Sequence, residues 1–456
     1  MSRSPFSRPT LACALLSLSL AGVAAAQPRP AVAPAGRPAV APAGGPAVAT
    51  APIAQKTIAI RGAKVYTGEG DPLEDAVILI TGDEIKSVGK SLATPPGAEV
   101  IDAKGQIITP GLVDPLTHAG LTEVELEPTA NDETESPSKD RIRAAYRAAD
   151  AYNPESTVLP VCRTGGLTSV GVVPSGGLIS GQSAWADLLP GTATDALAAA
   201  PLALHVHLET GADPQGGSRG AAVRAVREAF DDARTFQKNR AAWERNQSRP
   251  FSASRLDLDA LALALPGANK ASPRIPVVFH ADKASTLLTA LSIAAEFGLT
   301  PVIAGGAEAW RIRSTLAKSK VPVIVNPLLP GPDSFDMLGA RPDNAALLVA
   351  AGVPVSLTTG ETHNARKLRQ AAGNAVRAGL PHTAAIAAIT RAPAEALGMS
   401  AKYGTLTPGK KANLALWSAD PLELSTRLVA LYIHGKKQSL TTRQTLLLQK
   451  YRGITR

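Results

Sequence analysis

The sequence predicts an α/β protein in which a (β/α)8 barrel of the TIM type stands beside a small β-sandwich domain formed by both chain ends. Two observations predict this architecture. In the middle of the 456-residue chain, apolar runs of strand length alternate with helical segments, which is typical of a parallel sheet whose strands are joined by helices. On both sides of this region, short strand-like runs follow one another with glycine and aspartate turns between them.

The first part of the chain has the pattern of an export signal. Two arginines precede an apolar run over residues 11–23, and three alanines that end at Ala26 offer the small residues that a signal peptidase requires. The run is too short to span a bilayer. We therefore expect a signal peptide over residues 1–26, cleavage after Ala26, and a periplasmic or secreted protein. That protein keeps Cys162 as its one cysteine and forms no internal disulfide.

Residues 27–55 form a linker rich in proline and alanine. The eight-residue unit Arg-Pro-Ala-Val-Ala-Pro-Ala-Gly starts at Arg29 and again at Arg37. Proline at this density removes backbone donors and favours the extended polyproline II conformation. We expect a semi-rigid spacer, and a recognition motif is the alternative.

The two outer strand regions are expected to form one domain. Strands are predicted over residues 57–65, 76–80, 84–88 and 99–102 in the first region and within residues 404–417 and 428–433 in the second. Because both regions have the same pattern of short strands separated by turns, they are expected to pair with each other. The resulting domains are residues 56–108 and 400–440 for the β-sandwich, residues 109–399 for the barrel and residues 441–456 for a C-terminal tail.

The barrel elements follow from the alternating pattern. Strands are predicted over residues 107–116, 167–173, 202–208, 275–281, 300–303, 321–325 and 353–357. Helices are predicted over residues 284–297, 308–319, 344–351 and 365–378. Residues 219–247, rich in arginine, alanine and glutamate, are predicted to form a long inserted helix with a solvated charged face.

Composition excludes several classes of protein. An apolar fraction of 45% is that of an ordinary globular protein rather than a disordered chain. The formal net charge is +9, but the basic residues are scattered among acidic ones without an arginine and lysine block, which argues against nucleic-acid binding. We expect a small molecule as substrate or ligand, no nucleic acid, and no membrane contact beyond export.

One segment carries a specific resemblance. The run Pro110-Gly111-Leu112-Val113-Asp114-Pro115-Leu116-Thr117-His118 resembles the first barrel strand of the amidohydrolase superfamily, which reads P-G-L-[IV]-D-x-H-x-H. In that pattern the two histidines lie on one face of the strand and bind a metal ion. Leu116 stands at the first histidine position, so His118 alone remains.

Other segments support the same resemblance. Residues 404–417 are similar to the superfamily's C-terminal signature G-x-L-x-x-G-K-x-A-D, with Asn413 at the usual aspartate, and residues 278–284 and 389–398 are similar as well. The resemblance covers about residues 57–440 and is closest to a bacterial branch related to imidazolonepropionase. It implies one or two divalent metals, usually zinc. Their ligands would be histidines on strands 1, 5 and 6, a lysine or glutamate on strand 4 and an aspartate after strand 8.

The resemblance assigns an incomplete ligand set to this chain. His118 and His280 match the histidines of strands 1 and 5, whereas residues 303–306, at the end of strand 6, contain no histidine. After strand 8, Glu361 is the carboxylate nearest to the aspartate position and is the candidate catalytic residue. In the superfamily, this carboxylate takes a proton from the attacking water and passes it to the leaving nitrogen.

Further candidates lie on strand 4 and beside strand 8. His205, His207 and Glu209 alternate on one strand, so all three side chains can point the same way, and His207 and Glu209 are candidate metal-binding or substrate-lining residues. Buried sheet-face histidines without a functional role are the alternative for His205 and His207. His363 is likewise a candidate metal-binding or substrate-lining residue of the same site, and His434 is predicted to lie on the surface.

Two functional hypotheses follow. The first is a metal-dependent amidohydrolase, a hydrolase of non-peptide carbon–nitrogen bonds in cyclic amides or related compounds, with a reduced site that holds at most one zinc ion. The second is a catalytically inactive, metal-free relative that binds a small molecule or pairs with an intact amidohydrolase paralogue. A homo-oligomer is a further expectation for its assembly. Leu116 and the missing strand-6 histidine favour the second hypothesis, and the preserved framework favours the first.

Overall fold

The described strands fall into three hydrogen-bonded sheets. The structure, a computed structural model, describes residues 56–134, 140–209, 211–213, 217–267, 274–328 and 331–453; the predicted signal peptide and the predicted linker lie outside them. In chain order the strands are β1 (Thr57–Val65), β2 (Leu73–Thr81), β3 (Glu84–Lys90), β4 (Glu99–Asp102), β5 (Ile107–Pro110), β6 (Leu112–Thr117), β7 (Leu167–Val172), β8 (Ile179–Gln182), β9 (Ala184–Asp187), β10 (Leu197–Ala199), β11 (Leu204–His207), β12 (Val277–Ala281), β13 (Pro301–Gly305), β14 (Val323–Val325), β15 (Val355–Leu357), β16 (Leu414–Trp417), β17 (Leu428–Ile433) and β18 (Lys436–Lys437).

Both ends of the described chain contribute to one sheet, as the sequence predicts. Its strand order is β18-β17-β16-β5-β1-β2-β3, with β4 paired to β1. The two ends meet where β16 pairs antiparallel with β5, and Trp417 donates a hydrogen bond to Thr109, 308 residues away in sequence. Buried side chains such as Ile60, Ile78 and Tyr432 form a core of this sheet's own. The strands are linked as a single sheet, so the two-sheet sandwich stays a prediction.

The central strands form a barrel of the TIM type. β6 pairs parallel with β7, and β11 to β15 follow one another in parallel register. Thr358 and Thr359, which follow β15, donate hydrogen bonds to the carboxylate of Asp114 on β6, so the last barrel strand is joined to the first. The carboxyl ends of these parallel strands, where barrel enzymes carry their active sites, therefore face a common opening.

The strict alternation of strand and helix is wrong between β7 and β11. β9 pairs antiparallel with β7, and β8 pairs antiparallel with β11. The connecting segment contains Gly176 and Gly177, both with positive φ, which suit a reversal of the chain and disfavour a helix. This segment therefore adds short antiparallel strands, which the sequence pattern does not predict.

The predicted strand over residues 107–116 is two strands in different sheets. The Gly111 N–H donates to the carbonyl of Asn413 in the terminal sheet, whereas the Leu112 N–H donates to the carbonyl of Gly166 beside the barrel strand β7. A continuous apolar run cannot reveal this change, because both parts are buried. The chain passes from the terminal sheet into the barrel at Gly111.

The helices confirm the remaining pattern, with changes at their ends. They are α1 (Ala148–Ala151), α2 (Val158–Thr164), α3 (Ala193–Ala196), α4 (Arg219–Glu244), α5 (Arg255–Ala262), α6 (Ala284–Phe297), α7 (Arg313–Ser319), α8 (Asn344–Ala350), α9 (Leu368–Arg377), α10 (His382–Ala388), α11 (Arg391–Ala396) and α12 (Arg443–Tyr451). The helices predicted from residues 308 and 365 contain 3₁₀ turns at Ala309–Ile312 and His363–Lys367 before the α-helix begins. Among the described helices, none combines the length and apolar character needed to cross a bilayer.

A buried carboxylate joins the barrel to the terminal sheet. Asp187, at the end of β9, is 1% exposed and accepts hydrogen bonds from Ser169, Tyr403, Asn413 and His434. The predicted surface position of His434 is wrong, because its Nε2 lies 2.7 Å from Asp187 Oδ2 and its side chain is only 20% exposed. The side-chain oxygen of Asn413 in turn accepts the His434 N–H.

Replacing His434 by alanine is expected to lower the free energy of unfolding by about 2 kcal/mol, since it removes a hydrogen bond to a buried charged group. Thermal unfolding at pH 7 measures the change. His382→Ala is the matched control, because its ring pairs with the half-exposed Asp420 and an exposed pair contributes less than about 1 kcal/mol. Equal losses in the two variants would contradict the structural importance of Asp187.

Candidate functional site

Four histidines gather at the carboxyl ends of three barrel strands. His205 and His207 lie on β11, His280 lies on β12 directly opposite His207, and His118 follows β6. His118 interacts electrostatically with both His205 and His280, so it lies within electrostatic range of these rings. The strands thus bring together residues that are up to 162 positions apart, taking the difference between residues 280 and 118.

Three of the clustered side chains have the arrangement of metal ligands. His207, Glu209 and His280 each offer one ligand atom, and these atoms lie within 4.8 Å of one another. The rings of His207 and His280 stack with their centroids 4.1 Å apart, and His207 Nδ1 lies 3.6 Å from Glu209 Oε2. All three residues are half-buried, as ligands at the mouth of a barrel would be.

The histidine behind this group is fully enclosed. His205 is 1% exposed; its Nδ1 lies 2.9 Å from His280 Nε2, and its own Nε2 has no hydrogen-bond partner among the described residues. Burial, reinforced by the neighbouring histidines, holds the pKa values of His205 and His280 well below the usual range. Both rings are therefore neutral at pH 7, and the neutral imidazole is the form that binds metals.

His118 lies beside a second carboxylate. Its Nδ1 is 2.7 Å from the carbonyl oxygen of Val173, so Nδ1 carries the proton and donates it, and Nε2 keeps its lone pair. Glu133 Oε2 is 3.7 Å from the same Nδ1, and Glu133 accepts hydrogen bonds from Thr122 and Ser175. The sequence offers no signal for Glu133, because it lies in an irregular loop with no spacing to a strand.

The superfamily's strand 8 corresponds to β15, and the residues that follow β15 form a hydrogen-bonded network with Asp114. Asp114 is fully buried and accepts hydrogen bonds from both side-chain hydroxyls of Thr358 and Thr359 and from the Thr359 and Leu116 N–H groups. Burial raises the pKa of Asp114 to about 6, against the opposite effect of these hydrogen bonds. The residues directly after β15 thus bind Asp114, and the first carboxylate that follows them is Glu361.

Glu361 and His363 lie in the loop after β15. The Glu361 N–H donates to Thr359 Oγ1 at 3.3 Å, and His363 begins a 3₁₀ turn. Among the described residues, no hydrogen bond or ion pair links either side chain to the four histidines. Their roles in the site stay predictions.

The superfamily's strand 6 corresponds to β13, which carries no histidine and ends in a glycine. Ala304 pairs in register with His280 on β12, and Gly305 ends β13 with a φ of +89°. Asp282, two residues beyond His280 and directly after the end of β12, lies against Gly305. Asp282 is not among the predicted site residues, although its spacing of two from His280 is the available signal.

Known proteins are similar to this chain in sequence and in structure. The model of the "Amidohydrolase family" matches residues 271–442. "Amidohydrolase tasK" of Hapsidospora irregularis is 24% identical over 84% of this chain, which spans 43% of that protein's length. An imidazolonepropionase of Caulobacter vibrioides is 27% identical, covering 80% of this chain and 93% of that protein. The crystal structure of an amidohydrolase from Thermotoga maritima aligns with a TM-score of 0.75 and 26% identity, covering 84% of this chain and 99% of that one.

Proposed function

The chain belongs to the amidohydrolase superfamily, and we propose that it is a hydrolase of non-peptide carbon–nitrogen bonds that uses one divalent ion held by His207, Glu209 and His280. The observation that carries the proposal is the separation of at most 4.8 Å between their ligand atoms. Zinc bonds of about 2.1 Å in tetrahedral geometry need ligand atoms about 3.4 Å apart. Small side-chain rotations bridge this difference.

The hydrogen bonds leave the required nitrogen atoms available. His207 Nε2 is 3.1 Å from Ser180 Oγ, which leaves Nδ1, facing Glu209, as the ligand atom. His280 Nε2 is occupied by His205, which leaves its Nδ1. His280 then donates its Nε2 proton to His205, as metal-bound histidines donate their second nitrogen to a neighbouring acceptor. This ligand set differs from the pair inferred from the resemblance, since it includes His207 and Glu209 and leaves His118 beside it.

The chain's own residues would serve the reaction in distinct ways. A divalent ion, when bound, supplies a water molecule with a pKa of about 7. His118, oriented by Val173, presents Nε2 as a hydrogen-bond acceptor for a polar group of the substrate. Glu361 is our sequence-based candidate for the residue that moves the proton, and Glu133, beside His118, is the second candidate. The name of the relative from Hapsidospora irregularis, an amidohydrolase, supports a carbon–nitrogen bond as the target.

The metal-free hypothesis also has a specific observation in its favour. Leu116 and Ala304 occupy two ligand positions of the superfamily pattern, and Thr358 and Thr359 are engaged with Asp114. Under this hypothesis the protein is inactive and either binds a small molecule or pairs with an intact amidohydrolase paralogue. The affinity for zinc distinguishes the two hypotheses without knowledge of the substrate.

Zinc binding is expected at one ion per chain after removal of metals with a chelator and titration with zinc. Elemental analysis gives the stoichiometry, and thermal unfolding gives the affinity, because a ligand at 100 times its Kd stabilises a protein by about 2.7 kcal/mol. Glu209→Gln should lower the affinity at least tenfold. Glu361→Gln, in the loop after β15, is the matched control and should bind zinc as the wild type does. Absence of zinc from the wild type would reject the hydrolase in favour of the metal-free relative.

A further inference from the structure

We propose that the cavity at the carboxyl ends of β12, β13 and β14 binds a small cationic group on a ring or short alkyl chain, with Asp282 as its anchor. The cavity has a volume of about 160 Å³. The inference rests on the proposed function in one respect, since this group is taken to be part of the substrate.

The cavity lies next to the proposed metal ligands. Asp282 follows His280 by two residues and comes directly after the end of β12. The carboxylate of Glu209 acts on Asp282 electrostatically, so the anchor of the cavity lies within electrostatic range of a proposed metal ligand. This proximity is the reason for taking the bound cation to be part of the substrate.

The walls fit a compact apolar group. Most of the lining is apolar, from side chains that include Ala307, Val325, Met337 and Ala345. An apolar cavity of about 150 Å³ accommodates a benzene molecule. A six-membered ring thus matches this cavity in both size and polarity.

Gly305 keeps the room for this group. A Cβ atom at Gly305 would lie 2.7 Å from Asp282 Oδ1, closer than real contacts of this kind, and its φ of +89° disfavours any side chain. A residue with a side chain at the end of β13 would therefore displace Asp282 and reduce the cavity.

The charges around the cavity select a cation. Asp282 Oδ1 accepts one hydrogen bond, from the Ala307 N–H, and its carboxylate forms no ion pair with a basic side chain among the described residues. It is the one carboxylate among the described residues that line the cavity, so a bound cation would supply its counter-charge.

Arg341 also lines the cavity, but its charge is compensated. Its guanidinium pairs with Asp343 and lies over the ring of Trp310. A positively charged group is therefore favoured beside Asp282 over an anionic one.

Calorimetric titration with benzamidine and benzoate tests the proposal, because the two probes share a ring and differ in charge. We expect benzamidine to bind the full-length protein at least tenfold more tightly than benzoate. Asp282→Asn should weaken benzamidine at least tenfold, whereas Asp333→Asn, which removes an exposed carboxylate from the loop beside the cavity, should leave it unchanged. Ala340→Leu should reduce benzamidine binding by filling the cavity without altering the carboxylate.

A further variant separates this proposal from the proposed function. His280→Ala should lose zinc affinity and keep benzamidine binding, so absence of zinc in the wild type rejects the hydrolase alone. Failure of benzamidine to bind, equal binding of benzoate, or an unchanged affinity in Asp282→Asn would each overturn the cationic site, whatever the zinc result.

Discussion

Replacing Asp114 by alanine is expected to lower the free energy of unfolding by about 3–5 kcal/mol at pH 5. The variant leaves the Thr359 and Leu116 N–H groups without their buried acceptor and opens a space between β6 and the residues after β15. Each buried donor without a partner costs about 1–3 kcal/mol. Thermal and urea unfolding of the purified variant measure the loss.

The size of this loss is expected to depend on pH. Because burial raises the pKa of Asp114 to about 6, the folded protein holds this proton more tightly than the unfolded chain does. The contribution of Asp114 to stability is thus fully present below pH 4 and declines as the pH rises through 6. A shift of about two pKa units corresponds to about 3 kcal/mol in total, and about half of it falls between pH 5 and pH 8, so the deficit of the variant should shrink by about 1.5 kcal/mol over that range.

Asp102→Ala provides the comparison, since its exposed carboxylate accepts a single N–H from Lys104. We expect a loss of less than about 1 kcal/mol from it at pH 5. A deficit for the Asp114 variant that grew from pH 5 to pH 8 would show that the carboxylate is stabilised as an anion, contrary to the burial argument.

Replacing Gly171 by alanine is expected to destabilise the barrel by more than about 3 kcal/mol or to give insoluble protein. A Cβ atom at this position of β7 would lie 2.0 Å from the Pro115 carbonyl oxygen and 2.7 Å from its carbonyl carbon. Both atoms belong to the backbone of β6, so the two strands must separate. Soluble yield and the midpoint of thermal unfolding measure the effect.

Gly89→Ala is the matched control, because Gly89 is also a strand glycine. A Cβ atom there meets the Leu92 side chain at 3.7 Å, which is an ordinary contact. We expect a change within about 1 kcal/mol, since alanine restricts the unfolded chain and adds no collision. Equal effects of the two substitutions would refute the close approach of β6 and β7.

Much of the fold is predictable because apolar periodicity records burial directly. The bounds of α6 (Ala284–Phe297) and β4 (Glu99–Asp102) agree with the prediction residue for residue. The antiparallel strands β8 to β10 were not predicted, since their short buried runs have no distinctive period and their pairing depends on strands distant in sequence. The change of sheet at Gly111 escaped prediction because a hydrogen-bonding partner leaves no trace in a continuous apolar run.

The candidate site is predictable in its framework and not in its contacts. His118 and His280 follow from the resemblance to the superfamily's motifs, and the period of two places His207 and Glu209 together as candidates. Which nitrogen of His280 is available depends on the buried ring of His205 on the next strand, and no sequence pattern records that distance.

The pairing of β5 with β16 also determines when the terminal sheet can form. Its partners are separated by about 308 residues, as the contact between Thr109 and Trp417 illustrates. At a synthesis rate of about 5–20 residues per second, β5 is synthesised about 15–60 s before β16. Contacts of such long range form slowly, and an open strand edge can recruit other chains in the interval. β16 therefore covers the open edge of β5 only late in synthesis. A nascent chain that stalls before β16 leaves β5 available for aggregation.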